Sequence, residues 1–229
     1  MIGSNLATKQ IPAHANNYKK TRSGTKLTDF IIHHMAANST VEACGTLWKN
    51  PARGCSSTYG VQGKSIGQYV SEDDEPYTSS NRTADRKAIT IEIANAPEVT
   101  GKTYAETVKK GDALGWPVTD ESLETTINLM ADCMKRNNYA PLVVGENLKW
   151  HNMLSATACP GPYLMSKMQY IADECNKRAF PAPEANTSIL YGVVKQVIAL
   201  SDREKANAYA DKLNAQGEAD AYYKVIEIK

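Results

Sequence analysis

The stretch Ala88-Ile-Thr-Ile-Glu-Ile-Ala94 alternates and is rich in β-branched residues, which predicts a central strand. Alternation places Ile89, Ile91 and Ile93 on one face and Thr90 and Glu92 on the other. A carboxylate set between isoleucines needs a partner if it is buried. Its plainer readings are an exposed strand face or a structural ion pair. A second strand is expected over residues 28–33, where Phe30-Ile-Ile32 runs into His33-His34.

Helices are expected on both sides of these strands. Ser39-Thr-Val-Glu42 has the capping-box pattern and predicts a helix over Thr40 to Lys49. Thr119 caps a helix whose stripe is Leu123, Ile127, Met130 and Met134. Pro162 suits the first turn of another, with Leu164, Met168, Ile171 and Cys175 at the same spacing. Tyr59 to Val70 reads as a hairpin turning near Gly63-Lys64, and Glu72 to Glu75 as a solvated acidic loop. Residues 1–27 are polar and read as a loosely structured arm. Strands alternating with helices indicate an α/β domain.

The division expected is a domain over 1–179, a proline-containing linker over 180–187 and a small β-α-β module over 188–229. So small a module is expected to pack on the main domain or to associate with copies of itself. The chain of 229 residues is 42% hydrophobic and carries a formal charge of +1, with 26 basic against 25 acidic residues. That balance offers no basic excess for nucleic acid. No run approaches a membrane span, and the N-terminus lacks a signal-peptide core, so synthesis in a reducing cytoplasm is expected. The five cysteines (44, 55, 133, 159 and 175) form an odd set without repeated spacing, which argues against a disulfide framework. Cys133 and Cys175 fall at apolar helical positions and read as buried thiols, while a Cys44–Cys55 pair stays open.

The chemistry gathers in Trp150-His-Asn-Met-Leu-Ser-Ala-Thr-Ala-Cys-Pro-Gly-Pro162. His151 and Cys159 are too far apart to share an ion along a helix, so the segment between them has to curl back. Imidazole and thiolate both suit zinc, and the third ligand is best sought in the pair His33-His34. Two His and one Cys leave a coordination position open, as in catalytic rather than structural zinc sites.

In chain order, Phe30-Ile-Ile-His-His-Met-Ala36, Tyr59-Gly-Val61, Ile89-Thr-Ile-Glu-Ile-Ala-Asn95 and the His151–Pro162 segment resemble the type 2 N-acetylmuramoyl-L-alanine amidases. This zinc fold is shared by phage endolysins and peptidoglycan recognition proteins; the resemblance covers residues 27 to 178 and implies an α/β fold with a central mixed β-sheet flanked by helices. It implies Zn²⁺ on His34, His151 and Cys159, with His33 as the alternative to His34. It also implies proton transfer by Glu92, with Thr157 standing where other members carry a lysine. Tyr59 matches either an aromatic near the cleft or a core tyrosine. The activity implied is hydrolysis of the amide between N-acetylmuramic acid and L-alanine of the stem peptide, on bacterial peptidoglycan, by a phage endolysin acting on the wall after release. The rival is a recognition protein that holds peptidoglycan without cutting it, although such relatives usually lose the Cys ligand. The tail resembles half of a SPOR-type peptidoglycan-binding repeat, which implies wall binding or a homo-oligomer.

Overall fold

The computed structural model describes residues 1–99, 101–107 and 115–181, and Met1–Pro181 cluster as one unit. The linker and tail expected over 182–229 lie outside the described residues. The strands are β1 (Lys9–Gln10), β2 (Tyr18–Lys19), β3 (Asp29–His34), β4 (Tyr59–Gln62), β5 (Ser65–Gln68), β6 (Glu75–Pro76), β7 (Ala88–Ile93) and β8 (Leu148–Trp150). The helices are α1 (Val41–Lys49), α2 (Arg82–Lys87), α3 (Tyr104–Thr107), α4 (Asp120–Asn137) and α5 (Pro162–Ala179). Six strands make one mixed sheet in the order β1-β5-β4-β7-β3-β8, and β2 pairs with β6 apart from it.

β7 and β3 are adjacent interior strands of the sheet, parallel to each other, and every residue of both is buried. Their apolar side chains divide by parity. Phe30, Ile32, Ile89, Ile91 and Ile93 join the main core with Leu123, Ile127, Met130 and Met134 of α4 and Leu164, Met168, Ile171 and Cys175 of α5. Burying each such side chain contributes roughly 1.5–3 kcal/mol, so this face carries most of the hydrophobic stabilisation. On the opposite face Ile31 packs with Ala84 and Ala88 in a small cluster. There Thr90 Oγ1 accepts from the Thr58 backbone N–H at 3.0 Å and from the Thr78 hydroxyl at 3.0 Å.

The helix starts follow their caps. Thr119 Oγ1 accepts from Ser122 N–H, and Pro162 occupies the first turn of α5. For α1 the capping oxygen belongs to Thr40, accepting from Ala43 N–H, one residue after the Ser39 of the box pattern. Tyr59–Gln62 and Ser65–Gln68 pair antiparallel, with Gly63 turning at φ +56°.

Two local expectations fail. Residues 1–27 are not loose: β1 pairs with β5, Ile11 and Ala13 pack with Val41 and Trp48, and Asn17 and Arg22 are buried. Polar composition misled there, because Arg22 and Asn17 spend their polar groups on backbone carbonyls inside the fold. Nor are Glu72 and Glu75 solvated; both are buried, Glu72 against Arg136 and Glu75 against Arg82 and Arg86. All five cysteines are free thiols, so Cys44 and Cys55 do not pair.

Candidate metal centre and active site

The carboxyl ends of β7, β3 and β8 bring the chemistry to one level. Register pairs His33 with Glu92 on β7 and Ile32 with Trp150 on β8, so His151, the next residue, comes up beside His33. The His33 and His151 rings lie 4.4 Å apart between centroids. Ligands gathering beyond the carboxyl ends of parallel strands is the general rule for such sheets.

The segment after His151 curls back as its spacing requires. Asn152 N–H donates to Cys159 O at 3.0 Å, and Cys159 N–H donates to Thr157 Oγ1 at 3.2 Å. Gly161 takes φ +87°, and a Cβ there would come within 2.9 Å of the Trp116 ring, so glycine is required at this close approach. Cys159 Sγ ends 3.7 Å from His33 Nδ1 and accepts from His34 N–H at 3.4 Å. One donor atom each from His33, His151 and Cys159 falls within 4.8 Å of the others, so this trio could hold a metal ion.

His34 is not in that group. Strand parity sends its ring to the face of Ile32, where it lies 4.8 Å from the Trp116 ring. The geometry therefore gathers His33, the alternative of the pair, in place of His34. Tyr59 resolves to the core reading: it is fully buried and its hydroxyl donates to Glu72 at 2.6 Å.

Burial dominates the electrostatics. It drives His33 well below the ordinary imidazole range, assisted by His151 and His34, and it lowers His151. Both are thereby neutral, the form in which imidazole binds a metal. Burial, reinforced by the charge of Glu92, pushes the Cys159 thiol up, so a cation is required to draw out the thiolate. Burial also raises the Glu92 carboxyl to about 8, opposed only in part by Arg53. Glu92 Oε1 stands 4.0 Å from His33 Nδ1, which with a neutral imidazole is a contact and not an ion pair. His33 Nε2 and His34 Nδ1 are both buried without a hydrogen-bond partner among the described residues, so this does not separate the two rings.

The cleft over these groups has a volume of about 340 Å³ and is also lined by Trp48, Cys55, Tyr77, Thr78 and Thr157. Trp48, Tyr77 and Thr78 were not anticipated. Tyr77 follows a two-residue strand and belongs to no periodic pattern, so only its position beside Pro76 could have drawn attention.

A family model described as N-acetylmuramoyl-L-alanine amidase matches residues 23–162. The chain belongs to this family. It is a peptidoglycan amidase, cleaving the bond between N-acetylmuramic acid and L-alanine that defines the family. No curated protein sequence matches the chain. Among solved structures, this amidase resembles a mutant endolysin from Bacillus subtilis at 18% identity, covering 74% of this chain and 99% of that one, with a TM-score of 0.54. It also resembles the Staphylococcus aureus hydrolase AmiA, solved in complex with its ligand, at 15% identity, with coverages of 75% and 82% and a TM-score of 0.54. PlyL is similar at 12% identity, with coverages of 76% and 98% and a TM-score of 0.51. At these identities the likeness establishes the fold. Among the described residues, no helix is long and apolar enough to cross a membrane.

Proposed function

We propose that the amidase is zinc-dependent, with His33, His151 and Cys159 as its protein ligands, Glu92 as the proton-transfer group and Thr157 as the oxyanion partner. The observation that carries this reading is the convergence of two neutral imidazoles and a thiol, within 4.8 Å, beside a buried carboxyl. Two nitrogens and one sulfur form a donor set suited to zinc with one position left open. When bound, zinc would supply Lewis acidity, polarising the scissile carbonyl and bringing the pKa of water toward about 7.

The protein's own groups then act around the scissile amide. Glu92 accepts a proton from the attacking water and returns it to the L-alanine nitrogen as the C–N bond breaks. Its burial holds it near neutrality, where such a group both accepts and donates, and a cation in the trio would bring it lower. Thr157 Oγ1 already accepts from Cys159 N–H, which leaves its own proton to donate to the developing oxyanion. Neutral His33 and His151 hold their tautomers as ligands and take no proton from the reaction.

The wall-degrading role we infer is that of a phage endolysin, acting on peptidoglycan after release from the cell in which it is made. On sequence grounds, residues 188–229 are assigned to wall binding or self-association. The test is metal content: elemental analysis of the purified chain should find one zinc per molecule and none in Cys159→Ala. Stoichiometric zinc in that variant would remove Cys159 from the ligand set.

A further inference from the structure

The catalytic cleft does not end at Thr78. A second cavity of about 270 Å³ shares Cys55, Tyr77 and Thr78 with it and continues toward Ser80, Arg82 and Asp85. The two form one groove leading away from the proposed metal trio, long enough to receive more of a substrate than the scissile amide.

Arg82 is fixed at the far part of this groove. Its guanidinium lies over the Tyr77 ring, 4.1 Å from the centroid, and its Nε donates to Glu75 Oε1 at 2.5 Å. Glu75 is fully buried and is also bonded by Arg86 Nε at 3.0 Å, so two cations share this one carboxylate. Because Nε faces Glu75, the Nη edge of Arg82 remains for a ligand, and its side chain is 48% exposed. Stacking and ion pairing hold the fork before any ligand arrives, which lowers the ordering cost of binding.

The other charged group in this cavity is Asp85. Its oxygens already accept from Ser79 Oγ at 2.6 Å and from the Thr78 and Ser79 N–H groups. It is buried and internally satisfied, so Arg82 presents the outward charge.

We propose that Arg82 is a specificity-determining residue that binds the free carboxylate of the stem peptide's acidic residue, as a planar fork onto a planar anion. This rests on the amidase reading. The stem peptide has the required chemistry, since its acidic residue carries a carboxylate that can be free or converted to an amide. A charge-assisted pair of bonds at a half-exposed site predicts a preference of about tenfold for the acid over its amide.

The experiment uses the full-length chain and two synthetic muramyl peptides that differ only in whether the acidic residue's free carboxylate is amidated. The wild type is expected to show about tenfold higher kcat/KM on the free acid, mainly through KM. In Arg82→Gln that ratio should collapse toward one, with Arg82→Lys intermediate. Equal rates on both substrates by the wild type, or an unchanged ratio in a folded Arg82→Gln, would overturn the inference while leaving the amidase standing. Cleavage of neither peptide would overturn the amidase reading and this inference with it. The wild-type comparison stands whether or not a variant folds.

Discussion

Glu72 and Glu92 are buried to similar degrees, 2% and 9% exposed, yet they sit in opposite kinds of surroundings. Glu72 receives Arg136 through both Nη atoms at 2.9 and 2.7 Å, the Tyr59 hydroxyl at 2.6 Å and Asn137 Nδ2 at 3.0 Å. Burial alone would raise its carboxyl, but these donors together outweigh it and hold it below the ordinary range. Among the described residues Glu92 has no such donors: burial raises it to about 8, and only the Arg53 charge opposes that. A carboxylate surrounded by donors stabilises a fold. One left bare among a thiol and two imidazoles is a standing cost, which fits the proton-transfer role proposed for it.

The contrast breaks most sharply at the metal trio. His33→Ala, His151→Ala and Cys159→Ala should each lose zinc and with it at least about 10³-fold in turnover. His34→Ala should keep the metal. Elemental analysis of the four variants decides between the two neighbouring histidines, and zinc loss in His34→Ala alone would reverse the assignment.

Next in size, Glu92→Ala should retain zinc yet lose about 10²–10⁴-fold in kcat, the usual range for a positioned acid or base. Wild-type turnover in that variant would make Glu92 a bystander.

For Glu72→Ala the expectation is the reverse. Removing the carboxylate leaves the buried Tyr59 hydroxyl without its acceptor, while Arg136, 28% exposed, keeps Asp132. The cost should be about 1–3 kcal/mol, read by denaturant unfolding, with kcat of the folded fraction unchanged. The pH dependence follows from the sign of the shift. Since Glu72 is lowered in the folded state, its contribution is present above the ordinary glutamate range and is lost as pH falls through its folded value. Wild-type stability should therefore drop below about pH 4.5, and the drop should be smaller in Glu72→Ala. A catalytic defect there, with stability intact, would erase the distinction between the two glutamates.

The smallest effect is expected at Thr157. Thr157→Val removes the hydroxyl proposed as the oxyanion partner and should cost about tenfold or less in kcat, with zinc retained. Undiminished kcat would move the oxyanion role to another group.

Much of this was legible in the sequence, and the exceptions have physical causes. The alternation of Ala88–Ile93, the stripes of α4 and α5 and the caps at Thr119 and Pro162 are local signals that tertiary packing reinforces. The curl between His151 and Cys159 also follows from spacing. What spacing could not choose was His33 over His34, because that depends on which strand face turns toward the cleft, and so on the register with Glu92 and Trp150. The burial of Glu72 was hidden because its partners, Tyr59 and Arg136, lie far away in the chain. The N-terminal arm misled for the same reason: Arg22 and Asn17 are polar, but their partners are backbone carbonyls contributed by later segments. Tyr77 and Arg82 carried no periodic pattern, and their place in the groove emerges only once β6 and α2 are folded against β7.

The central claim, a metal-dependent amidase built on His33, His151, Cys159 and Glu92, is tested most directly by mass spectrometry of purified peptidoglycan digested with and without a zinc chelator. The account predicts free stem peptides beginning at L-alanine, lost under chelation and restored by added zinc. Intact muropeptides, or the same peptides released regardless of chelation, would contradict it.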